Sequence, residues 1–163
     1  MNLRPDPCEA EARLFLCPAD RGGVPGDLYQ KAYQVNGTSY QTNIFLVGQD
    51  RCGSFSQQTS QLDLLISERL SGTTINKVSY PGLVVLIGDF GWVNQWMSRN
   101  LLVPEWKALA EWHGKADYHN VGFVDGHVEF IRIRKDVYVA DHYAVLPFKD
   151  LYGLAHEVQW QDQ

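Results

Sequence analysis

The sequence predicts an α+β fold, mainly antiparallel β-sheet with short helices, and three local patterns carry that expectation. Asp125-Gly126 sits between two β-rich runs, His119 to Val124 and His127 to Arg134, the sequence form of a tight β-hairpin. Leu83-Val84-Val85-Leu86-Ile87 is an unbroken apolar run launched from Tyr80-Pro81-Gly82, as expected of a buried strand. Between Ser60 and Gly72, Leu62, Leu65, Ile66 and Leu70 recur at helical spacing.

The chain has 163 residues, room for a single domain spanning 1–163, with a loop-rich segment at 1–26 and a C-terminal extension at 137–163. Its net charge of −5 argues against a surface built to neutralise a phosphate backbone, so nucleic acid is not an expected partner. The longest apolar run is the five residues from Leu83 to Ile87, whereas a bilayer-spanning helix needs about 20. Met1-Asn2-Leu3-Arg4-Pro5-Asp6-Pro7 contains no apolar core of a secretory signal. The expectation is a soluble chain with no membrane span and no export signal.

The elements follow in chain order. Pro18 to Gly26 is rich in Pro and Gly and reads as a loop. Tyr33 to Asn36 and Ser39 to Val47 flank Gly37 and read as extended segments from their aromatic and β-branched content. Ser60 is positioned to cap a short helix that Gly72 ends. At Tyr80-Pro81-Gly82, Pro presets φ and Gly accommodates positive φ before the core strand. Pro104 opens a helical turn that Gly114 stops, with Trp106, Leu109, Ala110 and His113 on one side. A two-residue type I′ turn at Asp125-Gly126 would pair Val124 with His127, Phe123 with Val128 and His119 with Arg132. Val121, Phe123, Val128 and Phe130 would then share a face with His119, opposite His127 and Glu129.

Several residues invite a chemical reading. His113, His119, Asp125 and His127 are four potential metal ligands within fifteen residues, with Asp89 and Asp117 near in sequence, and a metal-dependent hydrolase would use His113, Asp125 and His127. The hairpin alternation separates His119 from His127, and Asp125 suits a turn for backbone reasons alone, so these residues read first as structural. Asp89, Asp136, Asp141 and Asp150 offer oxygens for a loop calcium ion without EF-hand spacing. Trp92, Trp96, Trp106 and Trp112 crowd the middle of the chain, a density that suits a core or, as an alternative, an extracellular glycan-binding surface using Trp92, Trp96 and Trp106. Cys8, Cys17 and Cys52 are too few for a disulfide scaffold. Cys8 with Cys17, or Cys17 with Cys52, could bridge in an oxidising compartment. Nucleophile-elbow, phosphate-loop, zincin and dinucleotide signatures are missing.

From His113 to Ile131 the chain resembles the prepilin-type processing-associated H-X9-DG family, in which a His precedes an apolar strand ending in Asp-Gly-His-Val. The matching residues are His113, Asp125, Gly126 and His127. Leu16-Cys17-Pro18-Ala19-Asp20 is similar to the family's Cys-Pro-x-Asp segment, Ser39-Tyr40 with Asn43 to its Tyr and Asn strand, and Val84 to Asp89 to its strand with an acidic end. Eleven residues rather than nine separate His113 from Asp125, and the family's leader and long apolar helix have no counterpart in the chain.

The resemblance implies a pilin- or pseudopilin-like globular head, a non-catalytic structural subunit of a type IV pilus or type II secretion filament at the cell envelope or outside the cell. Its implied partners are other pilin or pseudopilin subunits or a second copy of itself; apart from the loop calcium ion considered above, no cofactor is expected. In such heads the sheet packs on the second half of the apolar helix. A sheet without that cover is expected to leave an apolar patch exposed or to find a replacement, for which the Trp-rich region and Val137 to Trp160 are candidates.

Overall fold

The computed structural model describes residues 13–22, 30–47, 66, 68–69, 77–97 and 111–153. Its elements are α1 (Ala32–Asn36), β1 (Tyr40–Thr42), α2 (Ile44–Val47), β2 (Val85–Asp89), α3 (Gly91–Met97), β3 (Tyr118–Phe123) and β4 (Val128–Arg132), with short 3-10 turns at Arg13–Phe15 and Lys149–Leu151. The four strands form one antiparallel sheet in the order β1-β2-β3-β4, so the α+β expectation holds. By packing, the described residues fall into two compact units, one within Met1–Gln41, Asp89–His119 and Arg132–Lys135, the other within Thr42–Gly88, Asn120–Ile131 and Asp136–Gln163. Among the described residues no helix is long and apolar enough to cross a membrane.

In the first unit, Cys17, Ala32 and Trp112 are buried together, with Ala19, Tyr40 and Phe90 packed against them. Tyr33 to Asn36, expected to be extended, belongs instead to α1. The cause is remote in sequence: buried Asp20 accepts from the backbone N–H groups of Ala32 and Tyr33 at 3.0 and 2.9 Å, satisfying donors that a helix start leaves open. Gln34 accepts from the Lys31 N–H, and Gly37 closes the helix at φ 74°, its N–H bonded to the Tyr33 carbonyl. In α3, Trp92, Val93 and Trp96 form the buried face, and the Trp92 indole N–H donates to the Gln41 carbonyl at 2.8 Å.

The second unit buries Val78, Val84, Val124 and Ala144, with Leu46, Leu83, Val139 and Tyr152 against them. The core strand is where the apolar run predicted it, displaced toward Asp89. Ser39 to Val47 splits into β1 and α2, and buried Asn43 stands at the junction. Its amide donates to the carbonyls of Val85 and Val145, both at 2.7 Å, its Oδ1 accepts from the Phe45 N–H, and its own N–H reaches the Leu86 carbonyl. One side chain thus joins three distant chain segments with its hydrogen-bonding groups satisfied. The Tyr80-Pro81-Gly82 turn forms, but the positive φ falls on Tyr80, at 50°. Gly82 lies close to the hairpin turn: a Cβ there would meet Asp125 Oδ2 at 3.0 Å, so that exposed carboxylate would have to shift to admit it.

The hairpin forms with a register one residue away from expectation. The Phe123 N–H donates to the His127 carbonyl and the Gly126 N–H to the Phe123 carbonyl. Of the turn residues only Gly126 has positive φ, 96°. The loop is therefore three residues, Val124-Asp125-Gly126, closed by a glycine bulge, not a two-residue type I′ turn. Phe123 lies opposite His127, their rings stacked 4.2 Å apart. A one-residue slip reverses the faces of a strand. His119, Val121 and Phe123 still point inward, with Ile131, whereas Val128 and Phe130 stand outward, 68% and 41% exposed. A Cβ on Gly122 would touch both Ile87 and Val128, which places these three on the same outer face. In β2, Leu86 is the extra residue of a second bulge, since Val85 pairs with Phe123 and Ile87 with Gly122.

Candidate functional site

Two clusters of chemistry-bearing side chains occur, one in each unit. The first joins Cys17, Asp89 and His113, whose ligand atoms all lie within 4.8 Å of one another. Each is delivered by a different device. Cys17 opens a turn in which the Asp20 N–H bonds to the Cys17 carbonyl at 3.0 Å. The Asp20 carboxylate holds that turn by accepting from the Gly22 N–H and the Ser39 hydroxyl as well as from the start of α1. Asp89 closes β2, and the next residue, Phe90, donates its N–H to the Ser39 carbonyl at 2.9 Å. His113 follows Trp112, whose indole N–H bonds to the Gly22 carbonyl while Arg21 bonds back to the Trp112 carbonyl at 2.7 Å.

His113 Nε2 stands 3.1 Å from Asp89 Oδ2 and 4.0 Å from Cys17 Sγ. The Asp89 side chain is 2% exposed and that of His113 26%, so the acid is inside and the imidazole at the margin. Burial pushes the Cys17 thiol above its ordinary value; the backbone N–H of Ala19 opposes that shift, and the Asp89 and Asp20 carboxylates add to it. The same burial raises Tyr40, whose hydroxyl is bonded to Cys17. Because Cys17 and Asp89 both address the same nitrogen of His113, the three do not form a relay in which a base links a nucleophile to an orienting acid. Their ligand atoms instead converge on one point.

His119 is nearly fully buried, its Nε2 lacks a hydrogen-bond partner, and its pKa is lowered to about 4. Burial is the main cause, with Asp117 opposing it and His113 adding to it.

The second cluster is the hairpin turn. Asp125 Oδ1 accepts from the His127 backbone N–H at 3.1 Å and lies 2.6 Å from His127 Nδ1. These two bonds hold the Asp125 carboxyl below the usual carboxylate range. Glu129 stands 3.8 Å from His127 Nε2, on the side that the shifted register gives both residues. The ligand trio His113, Asp125 and His127 is thus replaced: His113 groups with Cys17 and Asp89, while Asp125 and His127 pair with each other. Among the described residues, Cys17, Asp89 and His113 are the one group of three metal-ligand types that converges.

The remaining candidates disperse. Cys17 is a free thiol, and Cys8 and Cys52 lie outside the described residues. Trp92 and Trp96 are core residues with no face open for a sugar, and Trp106 lies outside the described residues. Of the calcium candidates, Asp89 faces His113, Asp150 pairs with Arg69, and Asp136 and Asp141 are exposed. Reading from sequence missed the roles of Cys17 and Asp89, which stand 96 and 24 positions from His113. The available signal was an acid ending a buried strand beside a Cys-Pro turn. No family model, curated protein or solved structure matches the chain.

Proposed function

We propose that this chain is a non-catalytic interaction subunit, a pseudopilin-like globular head of a type IV pilus or type II secretion filament. The observation that carries the reading is the outward apolar face of the sheet. Val128 and Phe130 project from β4 into solvent, and Gly122 leaves a shallow floor between Val128 and Ile87. A contact with another protein would cover this apolar surface, and an antiparallel sheet that docks on an apolar helix presents such a face. The resemblance residues support the reading by what they do: Asp20 and Asn43 bind backbone groups of the fold, and Asp125 and His127 fix a turn.

A photo-crosslinking residue at position 128, introduced in the cell of origin, tests this directly. Crosslinks to a pilin-type subunit or to a second copy of the chain are the expected outcome. A protein confined to the cytosol, with no crosslink from position 128, would sink the filament reading.

A further inference from the structure

We infer that Cys17, Asp89 and His113 form a binding site for a single zinc-type divalent transition metal that fastens the Cys17–Asp20 turn to the end of β2. The inference stands on donor chemistry and spacing, and does not rest on the filament reading. A tetrahedral zinc ion with ordinary bond lengths holds nitrogen and oxygen ligands about 3.3 Å apart and sulfur and nitrogen about 3.6 Å apart. The observed separations, 3.1 Å for His113 Nε2 to Asp89 Oδ2 and 4.0 Å for Cys17 Sγ to His113 Nε2, lie within a few tenths of an ångström of those values. Thiolate, imidazole and carboxylate together select zinc over the oxygen-seeking magnesium and calcium.

Charge agrees with that choice. A thiolate and a carboxylate carry two negative charges, which a divalent cation cancels, leaving a neutral centre in an interior that disfavours net charge. On binding, the sulfur–metal bond forms and the thiol proton leaves to solvent. The surroundings are also built for a ligand sulfur: the Ala19 backbone N–H and the Tyr40 hydroxyl both bond to Cys17. Asp20 and Trp112 fix the backbone on either side of the site. Cys17 and Asp89 are buried and His113 is partly open, so the fourth position falls on the solvent side, to water.

The test uses the full chain, stripped with a chelator and titrated with cobalt(II) as the spectroscopic probe. The site predicts saturation at one equivalent, a thiolate-to-cobalt charge-transfer band in the near ultraviolet, and displacement of cobalt by zinc. Cys17→Ser is expected to lose the band with its circular dichroism unchanged, and Asp89→Asn to bind cobalt more weakly. Cys8→Ser and Cys52→Ser are expected to keep the band. If Cys17→Ser does not fold, His113→Gln and the wild-type spectrum decide. No charge-transfer band in the wild type, a band that survives in His113→Gln, or uptake abolished by His127→Ala alone would each overturn the site and leave an ordinary ion pair between His113 and Asp89.

Discussion

The Cys17–Asp20 turn and the Asp125–His127 turn use the same kind of residue to opposite ends. Each places an aspartate two or three positions from a Cys or His, and each aspartate accepts backbone N–H groups. Asp20 is buried and takes four bonds, from Gly22, Ala32, Tyr33 and Ser39. Asp125 is exposed and serves only its neighbour His127. Water competes for every bond that Asp125 makes, whereas three of the four that Asp20 accepts are buried, so one carboxylate organises its unit while the other trims a loop. A motif residue's weight is set by how many buried donors depend on it.

Breaking Asp20 is expected to have the largest effect. Asp20→Ala leaves buried donors without partners and removes charge-assisted bonds, a loss of at least about 4 kcal/mol in urea unfolding. An unfolding midpoint close to the parent's would erase the distinction between the two turns.

A second break falls on His119, buried in the strand that leads into the exposed turn. In the unfolded chain a histidine titrates near 6.5, while folded His119 does so at about 4. Above pH 6.5 the residue is neutral in both states and contributes nothing to pH dependence. As pH falls from 6.5 toward 4, the unfolded state takes up a proton that the folded state refuses, and stability drops by about 3 kcal/mol. Below 4 the difference is constant. Chelator-treated protein unfolded by urea at a series of pH values is expected to show this slope and His119→Phe to flatten it; equal slopes for the two proteins would contradict the assignment.

The smallest effect belongs to the exposed turn. Gly126→Ala keeps φ positive with nothing within 4 Å of the new Cβ, so backbone strain alone acts, at about 1 kcal/mol. A cost equal to that of Asp20→Ala would show that the hairpin turn organises its unit as strongly as the buried one.

What could be read from the sequence was local. The core strand, the hairpin and the Pro-Gly turn each depend on neighbours within a few residues, and all three formed. The errors share a physical origin in distance along the chain. Tyr33 to Asn36 became helical because Asp20, twelve residues before Ala32, satisfied the helix start. His113 met Cys17 and Asp89 because strand pairing and the Arg21–Trp112 strap brought them together, and no spacing rule spans 96 residues. The hairpin register depended on whether one or both turn residues took positive φ, which Asp-Gly alone does not decide.

That register has a consequence for how a surface like this changes. Val128 and Phe130 are outward because the loop holds three residues instead of two, so the face that these apolar side chains take is set by loop length as much as by the strand itself. By the register rule, deleting Asp125 would present Val128 and Phe130 to the other side of the sheet and Ile131 to the outer one, exchanging the exposed face without altering a residue of β4. Such a surface is gained or lost in one genetic step, and charge or polarity substitutions along the strand are not the only route by which it can vary.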